Sequence, residues 1–205
     1  MSAAHAIIVL MNVPIQERIS AQPTITAQWQ ELVRDAAAWR GHSLDEELES
    51  YLVFMLMRFT RVPDTVHDAL GRQFLEAQAL LGAQRLEHLR LTGDRCLLLC
   101  GLFPEQAKRR LVKISYFVRI GRSCYCELAD RLKAGESMLF TRLCEAYVSL
   151  MDLLQGVRSN ADGKPCLDPI CAFEQWSDTG SRYAYEVITA DGGIPMPASG
   201  EGQPH

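Results

Sequence analysis

Apolar residues recur along this chain with the three-to-four-residue period of helices, and two stretches depart from it by being apolar on every side. The first is YLVFMLM at 51–57, inside a helix expected over 44–61. Ser43 and Glu46 have the spacing of a capping box, acids crowd the helix start (Asp45, Glu46, Glu47), and Arg58 and Arg61 close it, as the helix dipole favours. The second is the leucine- and cysteine-rich run at 94–103, where Asp94 is placed to cap a short helix that Pro104 must end. A helix without a polar face has to be surrounded, so both are expected at the centre of a bundle.

Four further helices are expected around them. One spans 27–40, between a Thr26 cap and a Gly41 stop, with Trp29, Leu32, Val33 and Ala36 inward. Another spans 65–81, with Val66, Leu70, Phe74, Ala77 and Leu81 inward, and Leu91, Thr92 and Gly93 read as a turn. A third runs from a Ser115 cap to about 132. At about 100° per residue, Phe117, Gly121, Cys124, Tyr125, Leu128 and Leu132 share one side, while Arg119, Arg122, Ser123, Glu127 and Asp130 share the other. The last opens at Ser137 and is expected to stop at Gly156. Its apolar stripe is Leu139, Leu143, Ala146, Tyr147, Leu150 and Leu154, and Asp152 and Gln155 lie opposite.

After residue 158 the pattern changes. Residues 160–165 carry turn chemistry, and Tyr183, Tyr185 and Val187 alternate with Ala184, Glu186 and Ile188 at the period of a strand. The last fourteen residues are rich in Gly and Pro and are expected to be disordered. The expectation is an all-α, single-domain helical bundle of about six helices over 26–157. It has an N-terminal arm at 1–25 and an irregular C-terminal extension at 158–205 carrying a short strand or strap.

Composition narrows the functional classes. A chain of 205 residues, 48% hydrophobic, can bury a core, and a net charge of −4 speaks against broad nucleic-acid binding. No apolar run approaches the length of a membrane span. The N-terminus lacks the charged region of a secretory signal, which points to a cytoplasmic protein, with Met11 an alternative start to Met1. The seven cysteines are dispersed through expected helices, which favours reduced thiols. CxxC, HExxH and ExxH spacings are absent, so no metal or cofactor is expected.

Three groups of residues carry candidate chemistry. Lys108, Arg109, Arg110, Lys113, Arg119 and Arg122 concentrate positive charge at the corner after Pro104, suited to an anionic ligand or an acidic partner, nucleic acid included. Cys126 falls on the polar face one turn after Arg122, where positive charge favours the thiolate, so it is the candidate reactive thiol. Cys96, Cys100 and Cys144 read as core. Tyr183 and Tyr185 are candidate contacts in the C-terminal extension. No serine, histidine and acid triad or phosphate loop is present. The leading expectation is therefore a helical adaptor or regulatory protein acting through a protein partner, with a homodimer through the wide stripe at 137–155 also open. The alternative is a ligand- or cofactor-binding bundle, an enzyme included, with an internal pocket lined by Tyr51, Phe54, Tyr116, Phe117 and Tyr125.

Overall fold

The computed structural model describes residues 25–39, 44–61, 70–109 and 112–190, and among these every regular element is a helix. In chain order they are α1 (Ile25–Trp39), α2 (Glu46–Arg61), α3 (Leu70–Ala79), α4 (Gly82–Leu102), α5 (Pro104–Arg109) and α6 (Ile114–Arg131). They continue as α7 (Ala134–Glu145), α8 (Tyr147–Asp162), α9 (Pro169–Thr179) and α10 (Arg182–Ala190). The all-α class holds, with ten described helices in place of about six. Of the arm expected over 1–25, Ile25 already opens α1 and the rest lies outside the described residues, as do the caps at Gly41 and Ser43, residues 65–69 and the last fourteen residues.

The core is built round α4, which packs against α3, α6 and α8. All of its residues from 96 to 102 are buried. This helix begins well before Asp94, so the expected cap and the expected turn at 91–93 are both interior to it. Gly93 is there for close approach: a Cβ on it would stand 2.7 Å from Cε1 of Tyr125. The other apolar stretch is less central. In α2, Leu52, Val53, Met55, Leu56 and Phe59 are buried against α1 and α7, but Phe54 is 63% exposed. Its cap is Asp45, whose Oδ1 accepts the N–H groups of Glu47 (3.1 Å) and Leu48 (2.9 Å).

Four helices exceed the expected number. Pro104 ends α4 and, having no N–H to lose, also opens α5. Ala146, a single turn residue, divides the stretch expected as one helix into α7 and α8. The stop expected at Gly156 falls inside α8, which runs on to Gly163 in the left-handed region at φ 64°. Beyond it, α9 and α10 replace the irregular segment and the strand. In α10, Tyr183, Ala184, Val187 and Ile188 are buried, a helical face. What selects helix there is a partner distant in sequence. Oδ2 of Asp152 accepts the N–H groups of Arg182 (2.8 Å) and Tyr183 (3.2 Å), and Ser181 Oγ accepts that of Ala184 (3.1 Å). These are the donors a helix N-terminus leaves free.

Candidate ligand groove

The groove arises from how α4 ends. A helical Cys100 carbonyl would bond the N–H four residues on, but that residue is Pro104. Gln155 of α8 supplies the missing donor: its Nε2 lies 2.9 Å from the Cys100 oxygen. Arg158, one turn later, donates through Nη1 to the Leu102 carbonyl at 2.7 Å. Gln155 also exchanges amide hydrogen bonds with Gln175 (3.0 and 2.9 Å), which fixes α9 beside α8. Between α9 and the corner joining α5 to α6 a cavity of about 510 Å³ is left.

Pro104, Val112, Ile114, Leu167 and Ile170 form its apolar lining. Its described charged groups are Glu105, Asp168, Glu174, Asp178 and Lys113. Most of these are engaged. Asp178 accepts from Ser115 Oγ (2.8 Å) and faces Lys113 Nζ (3.6 Å), bridging α9 to the start of α6. Asp168 caps α9 through the Cys171 N–H (3.1 Å), with Pro169 in the first helical position. Glu105 lies 3.7 Å from Arg158, which also holds Asp162 at 2.6 Å. Burial works against the charge on Arg158, but these acids outweigh it and hold the charged form above its ordinary range. Glu174 is exposed and has no ion pair among the described residues.

Two thiols also face the groove, Cys166 and Cys171. Burial pushes the Cys166 thiol up despite nearby Tyr183 and Ser159, so it is a poor nucleophile at neutral pH. The arrangement offers a hydrophobic floor with a charged rim, which is the chemistry of binding.

The residues singled out from sequence are dispersed. Lys113 lines the groove, while Arg119 and Arg122 are exposed on the outer face of α6. Lys108 and Arg109 belong to α5, with their side chains outside the described residues, as is the whole of Arg110. Tyr183 is buried and its hydroxyl accepts the Cys166 N–H at 2.9 Å, whereas Tyr185 is exposed and its ring lies tilted against that of Trp176, centroids 5.6 Å apart. Of the five residues expected round an internal pocket, Phe54 and Tyr116 are exposed and Phe117 is core. Tyr51 and Tyr125 meet elsewhere, at Asp94. Their hydroxyls donate to its Oδ1 at 2.6 and 2.8 Å, and Arg58 pairs with Oδ2. Burial raises the Asp94 carboxyl above its ordinary value, against the opposing pull of Arg58 and the two tyrosines.

Cys126 is bonded to Cys144, tying α6 to α7. The expectation of reduced thiols thus fails for this pair, because the fold brings two residues distant in sequence to a Cα separation of 5.6 Å. Cys96, Cys100 and Cys124 are buried free thiols, their titration pushed up by burial. No family model, curated protein or solved structure matches the chain. The groove residues that sequence reasoning passed over had one readable sign. Asp168 followed by Pro169 marks a helix start, and from it Ile170, Glu174 and Asp178 fall on one face at four-residue steps.

Proposed function

We propose that this protein is a helical adaptor that receives a segment of a protein partner in the groove between α9 and the α5–α6 corner. The observation that carries this reading is Ile170, a groove-lining side chain left 75% exposed at the rim. Across α9 the apolar surface continues through Phe173, Trp176 and Tyr185, whose rings contact one another in series. Phe173 and Tyr185 are 37% and 44% exposed and lie outside the groove lining, and aromatic residues bordered by charge are typical of partner-facing surfaces. Lys113 at the mouth, close in the chain to the basic residues 108–110, gives the rim both signs of charge and so a means of orienting the incoming segment.

The test is site-specific photocrosslinking in the native cell, with the crosslinking residue placed at Ile170 or, as a control, at exposed Gln84. Capture of one defined polypeptide from position 170 and not from 84, abolished by Glu174→Lys or Phe173→Asp, is expected. Equal capture at both positions, or none at 170, would overturn the reading. A cavity of about 510 Å³ also lies in the size range of small-molecule sites. A co-purifying small molecule in a native mass spectrum, with no polypeptide captured at 170, would favour that second reading.

A further inference from the structure

The bond between Cys126 and Cys144 joins two sulfurs in unlike surroundings. Cys126 is exposed on the outer face of α6, and Cys144 is buried, with 6% exposure. Arg122 stands one turn before Cys126 and Asp130 one turn after it, both exposed, so the face carries both signs of charge and what sets Cys126 apart is its access to solvent. The Sγ of Cys144 lies 3.5 Å from the Arg122 carbonyl oxygen, an acceptor already in place for a thiol proton. Reduction would thus leave Cys126 open to solvent and Cys144 with an acceptor for its proton. The hairpin of α6 and α7 also has contacts besides the bond. Phe140 and Leu143 are buried in the core, Ser137 Oγ donates to the Ala129 carbonyl at 2.7 Å, and Arg142 pairs with Asp45, the cap of α2, and with Glu47 in its first turn.

We propose that Cys126 is a thiol-exchange site, with Cys144 as its resolving thiol, so that α6 and α7 are linked and released by the thiol–disulfide balance around the protein. The co-reactant is a thiol of the low-molecular-weight class, such as glutathione. Its thiolate attacks the exposed Cys126 sulfur, the bond to Cys144 breaks, and the electron pair leaves on Cys144, which takes up a proton beside the Arg122 carbonyl. A second thiolate attacks the outer sulfur of the mixed disulfide, forming the free disulfide of the reagent and releasing Cys126 as thiolate. The protein gains two electrons and the two external thiols are oxidised by two. The reverse sequence begins with Cys126 attacking the reagent's disulfide, and Cys144 then displaces the reagent.

Access decides the order of events, since the rate of exchange follows which sulfur can be approached in line. Cys96, Cys100 and Cys124 are fully buried and do not compete in the folded protein, whereas Cys166 and Cys171 are partly exposed, so each adduct is assigned to its residue by peptide mapping after the intact-mass measurement. The site is independent of the groove reading, because neither cysteine lines that cavity.

The experiment uses the full-length chain and glutathione disulfide, with intact-mass measurement over time. Cys144→Ser is expected to trap one glutathione on Cys126. Cys126→Ser, which leaves only the buried thiol of the pair, is expected to acquire it at Cys144 at least about tenfold more slowly. The wild type, which removes any concern over variant folding, is titrated through glutathione redox buffers with circular dichroism in parallel. It is expected to gain and lose two hydrogens while its helical signal persists, and partial reduction followed by alkylation should trap glutathione on Cys126 and label Cys144. No adduct on folded Cys144→Ser, equal rates at the two positions, or wild-type reduction only on unfolding would overturn the proposal and leave the bond a permanent staple.

Discussion

Asp94 and Asp152 both lie inside the bundle, 0% and 2% exposed, yet one is answered by side chains from other helices and the other by a helix end. Asp94 gathers Tyr51 and Arg58 from α2 and Tyr125 from α6 onto α4, so a single carboxylate fixes three elements. It does so by bringing a guanidinium, 33% exposed, to the edge of the core. Asp152 instead meets the free N–H groups of α10 and the Ser181 hydroxyl (2.6 Å), donors that needed an acceptor in any case. A buried charge matched to a helix terminus resolves two requirements at once, whereas a buried ion pair adds a second desolvation to the first. The two ends of the molecule should therefore fail differently.

The largest effect is expected at Arg58→Ala. Removing one member of a buried pair leaves the other uncompensated, and with Arg58 partly exposed the loss should be about 3 kcal/mol near pH 8 by urea unfolding. Its pH dependence is the sharper reading. The folded value of Asp94 already lies above the unfolded one, so the native state takes up this proton more readily, and the cost of keeping the carboxylate charged is relieved as pH falls. Without Arg58 the folded value rises further, so the difference between variant and wild type should shrink from pH 8 to pH 5. Glu49 and Glu127 work in the opposite sense. Burial raises both, but hydrogen bonds to Arg34 and Gln30, and to Gln78, Arg85 and Arg131, win and hold them below their ordinary values. Their contribution is lost on acidification in both proteins and cancels in the difference. A loss that stayed constant with pH would show that Arg58 acts by packing, and the contrast with Asp152 would collapse.

At the other end, Asp152→Ala should cost about 2 kcal/mol, near the upper range for a lost helix cap. The loss should be local. Hydrogen exchange is expected to open the amides of α10 first, with α4 and α6 protected as in the wild type. Global loosening would mean that α10 is not the separable end of the fold.

These two residues also show why part of the molecule was readable from sequence and part was not. Apolar patterning located α1, α2, α6 and the buried half of α4, the first and third by a stripe and the others by a continuous run, although Phe54 in the run of α2 is exposed. Asp94 misled because a carboxylate ahead of an apolar run looks like a local cap, and nothing in the run announces two tyrosines and an arginine from elsewhere. Residues 183–188 misled for the converse reason. Over so short a span Tyr183 and Val187 share a face at either period, and the acceptor that decides for helix stands in α8. The groove was hidden by the same kind of distance, since Gln155 read as an outward polar residue until Pro104 left the Cys100 carbonyl without its donor. The exposure of Cys126 could be read from its face of the helix, and its bond to Cys144 could not, because residue 144 comes beside it only once α7 folds back.

Gln155→Leu should be the next largest change, at about 1.5 kcal/mol, because it leaves a buried carbonyl and the Gln175 amide short of partners. Its signature would be partial release of α9, read as faster exchange of the α9 amides and a changed fluorescence of Trp176. If only α4 responded, Gln155 would be a plug for the proline defect and not the link that shapes the groove.

The smallest effect is expected at Asp45→Ala, and it tests the comparison from outside the core. Asp45 caps α2 from within its own segment and is 43% exposed, so water can take over the donors it releases. Its other oxygen faces Arg142 of α7 at 3.1 Å, but an ion pair this exposed adds only tenths of a kcal/mol. The expected loss is about 1 kcal/mol by urea unfolding, half that of Asp152→Ala. The distinction is physical: both carboxylates bond two successive backbone N–H groups, and they differ in whether solvent can replace them and whether the helix they start is held by anything else. Equal losses at the two positions would mean that burial adds nothing to a cap here, and α10 would then owe its helical state to its own residues and not to α8.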